Sequence, residues 1–311
     1  MAFPWGVWFE PVQPVARIVE LARLSEREGA EVCFVADEGT DRDLYVALTA
    51  IALGTERMVV APAITNPFSR HPVTTAAAIA TLAELVPGRV WHGLGVGGSR
   101  VLDPLGLVPE RPYTALRDAF EVNRTLLGGG EVGGARLPWA KVPVPIAIAG
   151  RGPRVQALAA AEADWIVLSA EAPLSLPSAA HRLRANGCKV AWSAYLAYAP
   201  EQRQRVLGHF SYMALDAPPA IRERAGLTDE RVGAIRSEML AGRLDAAAAL
   251  LPDALVDEYA IAGTPDECAS RIAALAPSFD VFMLPMNDIE QCEQHILASA
   301  DILRRAQQAT A

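Results

Sequence analysis

The chain has 311 residues, of which 51% are hydrophobic, and its formal net charge is −8. This acidic balance argues against a nucleic-acid partner, and an anionic ligand would need a local cluster of positive charge. No apolar run reaches the ~18 residues of a membrane span, the N-terminus lacks a signal-peptide pattern, and four scattered cysteines have no metal-ligand spacing. We therefore expect a cytoplasmic protein with reduced thiols, no resident metal and no membrane partner.

Short apolar runs alternate with helical patterns along the chain. The predicted strands are 5–9, 32–36, 56–65, 89–94, 144–149, 165–168, 190–198 and 281–285. The predicted helices are 14–29, a helix capped by Asp41, 72–86, 112–127, 154–163, 174–186, 268–276 and 290–307. Such alternation is typical of a parallel sheet with helical crossovers. Eight units at this chain length favour an α/β fold of the (β/α)₈ TIM-barrel type over an open sheet.

Segment 200–253 is mostly helical and too long for one barrel helix, with a break at Pro218–Pro219. We interpret it as the seventh helix plus an insertion near strand seven. The expected organisation is a single TIM-barrel domain over 1–311 with a helical insertion at about 200–253. Residues 131–142 form a loop or a small hairpin.

The stretch 55–98 predicts strand, turn, helix, strand and a glycine-rich turn in succession. Pro72 suits a first helical position, where the missing N–H is no loss. Each of the two strands is followed by a turn, and the second of these turns is rich in glycine. Parallel α/β folds bind ligands at these C-terminal strand ends.

Two segments in this stretch, TNPFSRHP at 65–72 and GRVWHGLGVGG at 88–98, resemble the bacterial-luciferase-like superfamily. The likeness continues through VCFVADEGTDRDLYVALTAIALGTERM, PIAIAGRGPRVQALAAAEADWIVL and AGTPDECASRIAAL. It is closest to the methylenetetrahydromethanopterin-reductase-like branch, which uses coenzyme F420, a 5-deazaflavin. The resemblance implies a homodimeric oxidoreductase that transfers a hydride between F420 and a small-molecule substrate at the C-terminal face of the barrel. The alternatives are an FMN-dependent monooxygenase and a non-catalytic flavin- or deazaflavin-binding protein.

Gly150, Arg151 and Gly152 precede a helix that begins with proline. Glycines let backbone amides approach an anion, the helix N-terminus offers free N–H groups, and the arginine adds charge. An ordinary strand-to-helix turn would look the same. The resemblance favours the first interpretation, because it implies that the cofactor phosphate binds at this turn.

The turn Gly95–Val96–Gly97 lacks the spacing of a dinucleotide fingerprint. We expect its glycines to make room for a planar ring system, the alternative being a turn without a ligand. The other expected ring contact is the end of strand three, Ala63–Ile64–Thr65–Asn66. There the resemblance implies a non-prolyl cis peptide whose bulge supports the ring.

Asp37 and Glu38 form an acidic pair at the C-terminal end of strand two. One of them is expected to handle a proton or to polarise the ring, whereas a solvated, helix-capping pair is the alternative. Asp37 matches the acidic position of the family and is the stronger candidate, since relatives often carry His at the position of Glu38. Some F420-dependent relatives also have a Glu after strand four, where this chain has Gly97–Arg100.

His71 is the third candidate catalytic residue, although a lone histidine is more often a structural hydrogen-bonding group. Basic side chains also recur in the loops at the C-terminal ends of the strands. These are Arg70, Arg100, Arg151 and Arg154. Such a cluster would provide the positive field that a phosphate-bearing cofactor needs in an acidic protein, unless the four fall there by chance.

Overall fold

A computed structural model describes residues 3–216, 219–286 and 291–310 of the chain. Eight parallel strands form the main sheet, in the order β3-β2-β1-β12-β9-β8-β7-β4. They are β1 (Trp5–Phe9), β2 (Val32–Val35), β3 (Val59–Pro62), β4 (His92–Leu94), β7 (Ile146–Ala149), β8 (Trp165–Ser169), β9 (Lys189–Ser193) and β12 (Val281–Pro285). Bridges Val60–Val90 and Thr65–Leu94 join β3 to β4. The strands thus enclose a barrel, and the predicted (β/α)₈ fold is confirmed.

Helices connect the strands and cover the outside of the barrel. They are α1 (Val15–Arg27), α2 (Leu44–Gly54), α3 (Pro72–Leu85), α4 (Ser99–Leu102), α5 (Pro112–Leu127), α6 (Pro153–Glu162), α7 (Leu176–Leu183), α8 (Pro200–Asp216), α9 (Pro219–Arg224), α10 (Asp229–Leu240), α11 (Leu244–Ala249), α12 (Ala254–Tyr259), α13 (Pro265–Leu275) and α14 (Cys292–Ala309). The predicted small hairpin is also present, as antiparallel β5 (Glu131–Val132) and β6 (Ala135–Arg136).

Several element boundaries differ from the prediction for identifiable reasons. Asp43, not Asp41, caps α2, because its carboxylate accepts hydrogen bonds from the amides of Tyr45 and Val46 in the first turn. Strand β3 starts later than predicted, since the Glu26 carboxylate binds the amides of residues 56–58 in a turn. Predicted strand seven divides into β9 and β10 (Leu196–Ala197), which pairs with β11 (Ile261–Ala262). Pro218, at the predicted helical break, lies outside the described segments. So does Glu290, at which the last helix was predicted to begin.

The strands are buried on both faces, as a parallel sheet covered by helices requires. Side chains such as Phe34, Trp165 and Met283 fill the barrel interior. Alternate positions of the same strands, such as Cys33 and Val35, pack outward against the helices. The interior is therefore filled by apolar packing, and the main cavities described below lie at the strand ends.

The helices after β10 bury a hydrophobic cluster of their own. Phe210 and Met213 of α8, Ile235 of α10 and Tyr259 of α12 belong to it, and Ala197 of β10 connects it to the barrel. The predicted helical insertion is thus helical in the described residues, whereas its assignment to a single domain stays a prediction. None of the described helices is long and apolar enough to span a membrane. All four cysteines are free thiols in buried positions.

His92 of β4 is a fully buried polar side chain beneath α5. Its Nε2 lies 3.1 Å from Asn123 Oδ1, and Asn123 Nδ2 donates to the Ala119 carbonyl oxygen at 2.7 Å. Burial lowers the pKa of His92 from 6.5 to about 4. The ring is therefore neutral in the folded protein at neutral pH and must gain a proton in the unfolded chain as the pH falls.

This histidine should make the fold acid-sensitive. Because the folded pKa lies below the unfolded one, stability is lost as the pH falls from 6.5 toward 4 and does not change further below that range. We expect the wild type to lose about 3 kcal/mol of unfolding free energy relative to His92→Gln over this interval. Urea unfolding at pH 7, 5.5 and 4.5 measures it, with exposed His181→Gln as the control. An equal pH dependence in wild type and His92→Gln would contradict the assignment.

Candidate active site

A cavity of about 290 Å³ opens at the C-terminal ends of β2, β3, β4 and β7. We call it the main cavity. Most of the site residues expected from the sequence line its wall: Asp37, Glu38, Ala63, Ile64, Asn66, Val96, Gly97, Gly150 and Arg151. Trp8, Ser169, Ser193 and Met283 complete much of the lining from the opposite strands. The size and the mixed apolar and charged lining are typical of a small-molecule site.

Asp37 lies at the main cavity directly after β2. Its Oδ2 accepts a hydrogen bond from Thr65 Oγ1 at 2.7 Å. Thr65 is fully buried, so this bond holds the Asp37 carboxylate in a fixed orientation. Burial raises the pKa of Asp37, and the Thr65 hydroxyl opposes that shift. Asp37 does not cap α2, which excludes the helix-capping alternative for this residue.

Glu38 belongs to a group of three charged side chains that sequence reasoning did not connect. Arg100 of α4 donates two hydrogen bonds to Glu10, from Nη1 to Oε1 at 2.8 Å and from Nη2 to Oε2 at 2.7 Å. Its Nε lies 2.9 Å from Glu38 Oε2 as an ion pair. Burial raises the pKa of Glu38 to about 7, with Arg100 opposing the shift. Glu38 therefore exchanges a proton near neutral pH.

The end of β3 has the backbone conformation that the resemblance implied, a cis peptide between Ala63 and Ile64. Trp8 Nε1 donates to the Ala63 carbonyl oxygen at 2.8 Å. Asn66 Oδ1 accepts from the amides of Phe68 and Ser69, both at 2.9 Å. These bonds fix the segment that forms one wall of the main cavity.

Gly95 has a different role from the one expected. A Cβ at this position would lie 1.8 Å from Ile64 Cδ1, so the glycine accommodates the Ile64 side chain and does not itself line the cavity. Val96 and Gly97 do line it, and Gly97 has a φ of 72°, which favours glycine. The turn after β4 therefore supports the Ile64 wall through Gly95 and borders open space through its next two residues.

The turn after β7 leads from the main cavity to the N-terminus of α6. Gly150 and Arg151 line the cavity, whereas exposed Gly152 is the N-cap of α6 and lies outside it. A Cβ at Gly150 would meet Val155 Cγ1 at 2.5 Å, but one at Gly152 would meet nothing within 4 Å. Open space thus adjoins the first amides of α6, which have no acceptor within the helix.

His71 lies outside the lining of the main cavity. It is exposed and caps α3, with Nδ1 accepting from the Val73 amide at 3.2 Å. This contact supports the structural interpretation of His71. The expected basic cluster is also divided, because Arg70 lies over the Tyr45 ring and Arg154 over the Tyr113 ring, at 4.3 and 4.0 Å.

A second space of about 200 Å³, which we call the aromatic cavity, adjoins the main one. The two share Trp8, Arg151, Ser169 and Ser193, and the aromatic cavity adds Glu10, Arg100, Tyr195, His209, Phe210, Met213 and Tyr259. The His209 ring of α8 lies parallel to Tyr195, with centroids 5.3 Å apart. Sequence reasoning missed this space, although the position of Tyr195 after a barrel strand was a usable signal.

The site holds no arrangement suited to a metal ion in the part of the chain that is described: no three His, Cys, Asp or Glu side chains converge there. The charged side chains that line the two cavities are the carboxylates Asp37, Glu38 and Glu10 and the arginines Arg100 and Arg151.

Known proteins with similar sequences are named as reductases and dehydrogenases. The 5,10-methylenetetrahydromethanopterin reductase of Methanolobus tindarius is 27% identical over 293 residues, 87% of this chain and 90% of that protein. The F420-dependent glucose-6-phosphate dehydrogenase of Beutenbergia cavernae is 32% identical over 166 residues, 46% of this chain and 49% of that protein.

The fold matches as well. The F420-dependent tetrahydromethanopterin reductase of Methanopyrus kandleri superposes with a TM-score of 0.81 at 23% identity, over 96% of this chain and 98% of the other. The sequence model of the luciferase-like monooxygenase family matches residues 4–279. This match covers most of the chain. The chain therefore belongs to the luciferase-like monooxygenase family.

Proposed function

We propose that this chain is an F420-dependent oxidoreductase that transfers a hydride between the cofactor and a small organic substrate. The observation that carries the proposal is the main cavity, which brings the Ile64 wall, the Val96–Gly97 turn and the Gly150–Arg151 turn to one opening. Relatives named as F420-dependent support the choice of cofactor. A bound deazaflavin would supply the carrier for two electrons and a hydride.

The residues present suit such a group in two respects. Ile64 and Val96 offer apolar contact for a ring at the main cavity. Arg151 and the α6 N-terminus offer positive charge and free amides for a phosphate, in space that the side-chain-free Gly152 leaves open. These two regions are continuous through Gly150, so a ring and its phosphate-bearing chain would lie along one surface.

The chain's own chemistry would be to hold and move a proton. Hydride transfer to a carbon–heteroatom double bond delivers two electrons to carbon, and the heteroatom must then gain a proton; the reverse reaction releases it. Glu38 suits this role because it exchanges a proton near neutral pH. Asp37, held by Thr65, suits the role of a fixed acceptor that orients the polar edge of the cofactor. The aromatic cavity, which adjoins the main cavity through Trp8, Arg151 and two serines, would be the space for the substrate.

An FMN-dependent monooxygenase is the second candidate, since the matching family is described as luciferase-like monooxygenase. The same cavity would serve either cofactor. A protein that binds the cofactor without turnover is the third. Titration of the purified chain with F420 and with FMN, followed by cofactor fluorescence, separates the first two. We expect micromolar binding of F420 and much weaker binding of FMN; the reverse preference would overturn the proposal.

The phosphate contact can be tested at Gly152. Its φ of −74° suits any residue and its Cβ direction is open, so Gly152→Val should fold normally. We expect the valine side chain to obstruct the approach to α6 and to weaken F420 binding at least about tenfold, a loss of about 1.4 kcal/mol. Gly152→Ala is the matched control and should bind nearly as well as the wild type. Equal affinity in all three proteins would remove this turn from the site.

The two carboxylates should respond differently to loss of charge. We expect Glu38→Gln to lose at least about 10²-fold in turnover, as removal of an acid–base group does. Asp37→Asn should change F420 affinity and turnover less, because the amide keeps an acceptor for Thr65. This order reverses the one expected from the sequence, because burial raises the pKa of Glu38 to about 7. Single-turnover reduction or oxidation of bound cofactor measures both, and a larger loss in Asp37→Asn would return the role to Asp37.

We also propose that the chain forms a homodimer through α2 and α3. Val46 and Leu53 of α2 are 62% and 64% exposed, and Leu85 at the end of α3 is 48% exposed. Large apolar side chains left exposed on neighbouring elements are the kind of surface that a partner covers. The superfamily resemblance favours a second copy of the chain as the partner.

Light scattering after gel filtration tests the dimer. Val46→Glu with Leu53→Glu should convert it to a monomer, because each charge would be buried without a partner. Leu240→Glu, at an 81% exposed position on the insertion, is the matched control and should leave the mass unchanged. A monomeric wild type at micromolar concentration would contradict the proposal.

A further inference from the structure

The cluster of Glu10, Arg100 and Glu38 joins three separate loops at the edge of the main cavity. We propose that Arg100 and Glu10 are positioning residues for Glu38: Arg100 orients the Glu38 carboxylate, and Glu10 balances the charge of Arg100 so that Glu38 can still accept a proton. The inference goes beyond the proposed function and depends on it only for the reaction that consumes the proton.

The geometry gives the two carboxylates unequal shares of the guanidinium. Glu10 receives a two-point contact in which both terminal nitrogens donate to its two oxygens. Toward Glu38, Arg100 Nε lies 2.9 Å from Oε2, as an ion pair. A two-point arginine–carboxylate contact is the stronger and more directional kind. The charge of Arg100 is therefore balanced mainly by Glu10. Glu38 interacts with the Arg100–Glu10 ion pair and not with an isolated cation.

Low exposure makes this unequal sharing important. The side chains of Glu38, Glu10 and Arg100 are 11%, 14% and 26% exposed, so their charges interact with little screening by solvent. The other charged groups that act on Glu38 are Asp37 and Asp41, and both favour its protonated form, as Glu10 does. Arg100 favours the ionised form of this carboxyl group. The proton on Glu38 therefore depends on how fully Glu10 neutralises Arg100.

The cluster also connects different spaces. Glu38 lines the main cavity, whereas Glu10 and Arg100 line the aromatic cavity and an outer cleft of about 850 Å³ beside α8 and α11. A substrate in the aromatic cavity would thus meet the Glu10–Arg100 pair in the wall of that cavity. In this chain the segment after β4 provides an arginine that contacts the Glu38 carboxylate.

Two substitutions should shift the proton on Glu38 in opposite directions. In Glu10→Gln the Arg100 charge is no longer balanced, so the titration midpoint of Glu38 should fall by at least about one pH unit. In Arg100→Met the opposing cation is lost, so the midpoint should rise by at least about one pH unit. Arg100→Lys keeps the charge and should return the midpoint toward the wild-type value. A purely structural role of the cluster would not produce shifts of opposite sign.

The measurement uses the cofactor-free chain labelled with ¹³C at the glutamate carboxyl groups, titrated by NMR. The Glu38 signal is identified by its absence in Glu38→Gln. Arg17, which bridges Glu20 and Glu293 at 3.0 and 2.7 Å on the exposed surface, provides the matched control. Arg17→Gln should leave the Glu38 midpoint unchanged.

Two outcomes would overturn the inference: a wild-type midpoint for Glu38 near the ordinary value of about 4, or shifts of the same sign in Glu10→Gln and Arg100→Met. If Arg100→Met does not fold, Glu10→Gln and Arg100→Lys still decide, because a fall in the first and little change in the second are both required. Since no cofactor is present, failure of F420 binding would reject the proposed function and leave this result standing.

Discussion

The closed parallel barrel is the constraint on which the rest of this molecule depends. Its strands are buried on both faces, and bulky side chains such as Phe34, Trp165 and Met283 fill the interior. A charged group inside that packing would lack a partner, and the cost of burying it would be several kcal/mol. Polar chemistry is therefore confined to the strand ends. Asp37, Glu38 and Arg151 all lie two or three residues beyond a strand, at the main cavity.

This constraint explains why so much could be predicted from the sequence. Eight apolar runs separated by helical patterns determine the barrel, and a barrel determines which loops share a face. The turns after β2, β3, β4 and β7 were consequently expected at one site before any contact was known, and nine of the thirteen expected residues line the main cavity. The cis peptide at Ala63–Ile64 came from the family resemblance alone, because no property of these residue types requires it.

The rest could not be predicted, because it depends on side-chain contacts between loops that are distant in sequence. Nothing near Arg100 in the chain indicates that its guanidinium would reach both Glu10 and Glu38. The aromatic cavity requires that α8 of the insertion lie over Tyr195, and helix orientation is not encoded in a local pattern. His71 illustrates the same limit, because its ring Nδ1 accepts from the Val73 amide and caps α3, a contact that the motif beside it does not indicate. Local patterns predict elements, whereas the partners of polar groups follow from packing.

The contact between Ile64 and Gly95 has an evolutionary consequence. A Cβ at position 95 would lie 1.8 Å from Ile64 Cδ1, so the Ile64 side chain would have to move or be shortened. A substitution at position 95 would thereby alter the wall of the main cavity, although the residue itself does not line it. Evolutionary change at residue 95 is therefore coupled to the shape of the site through residue 64.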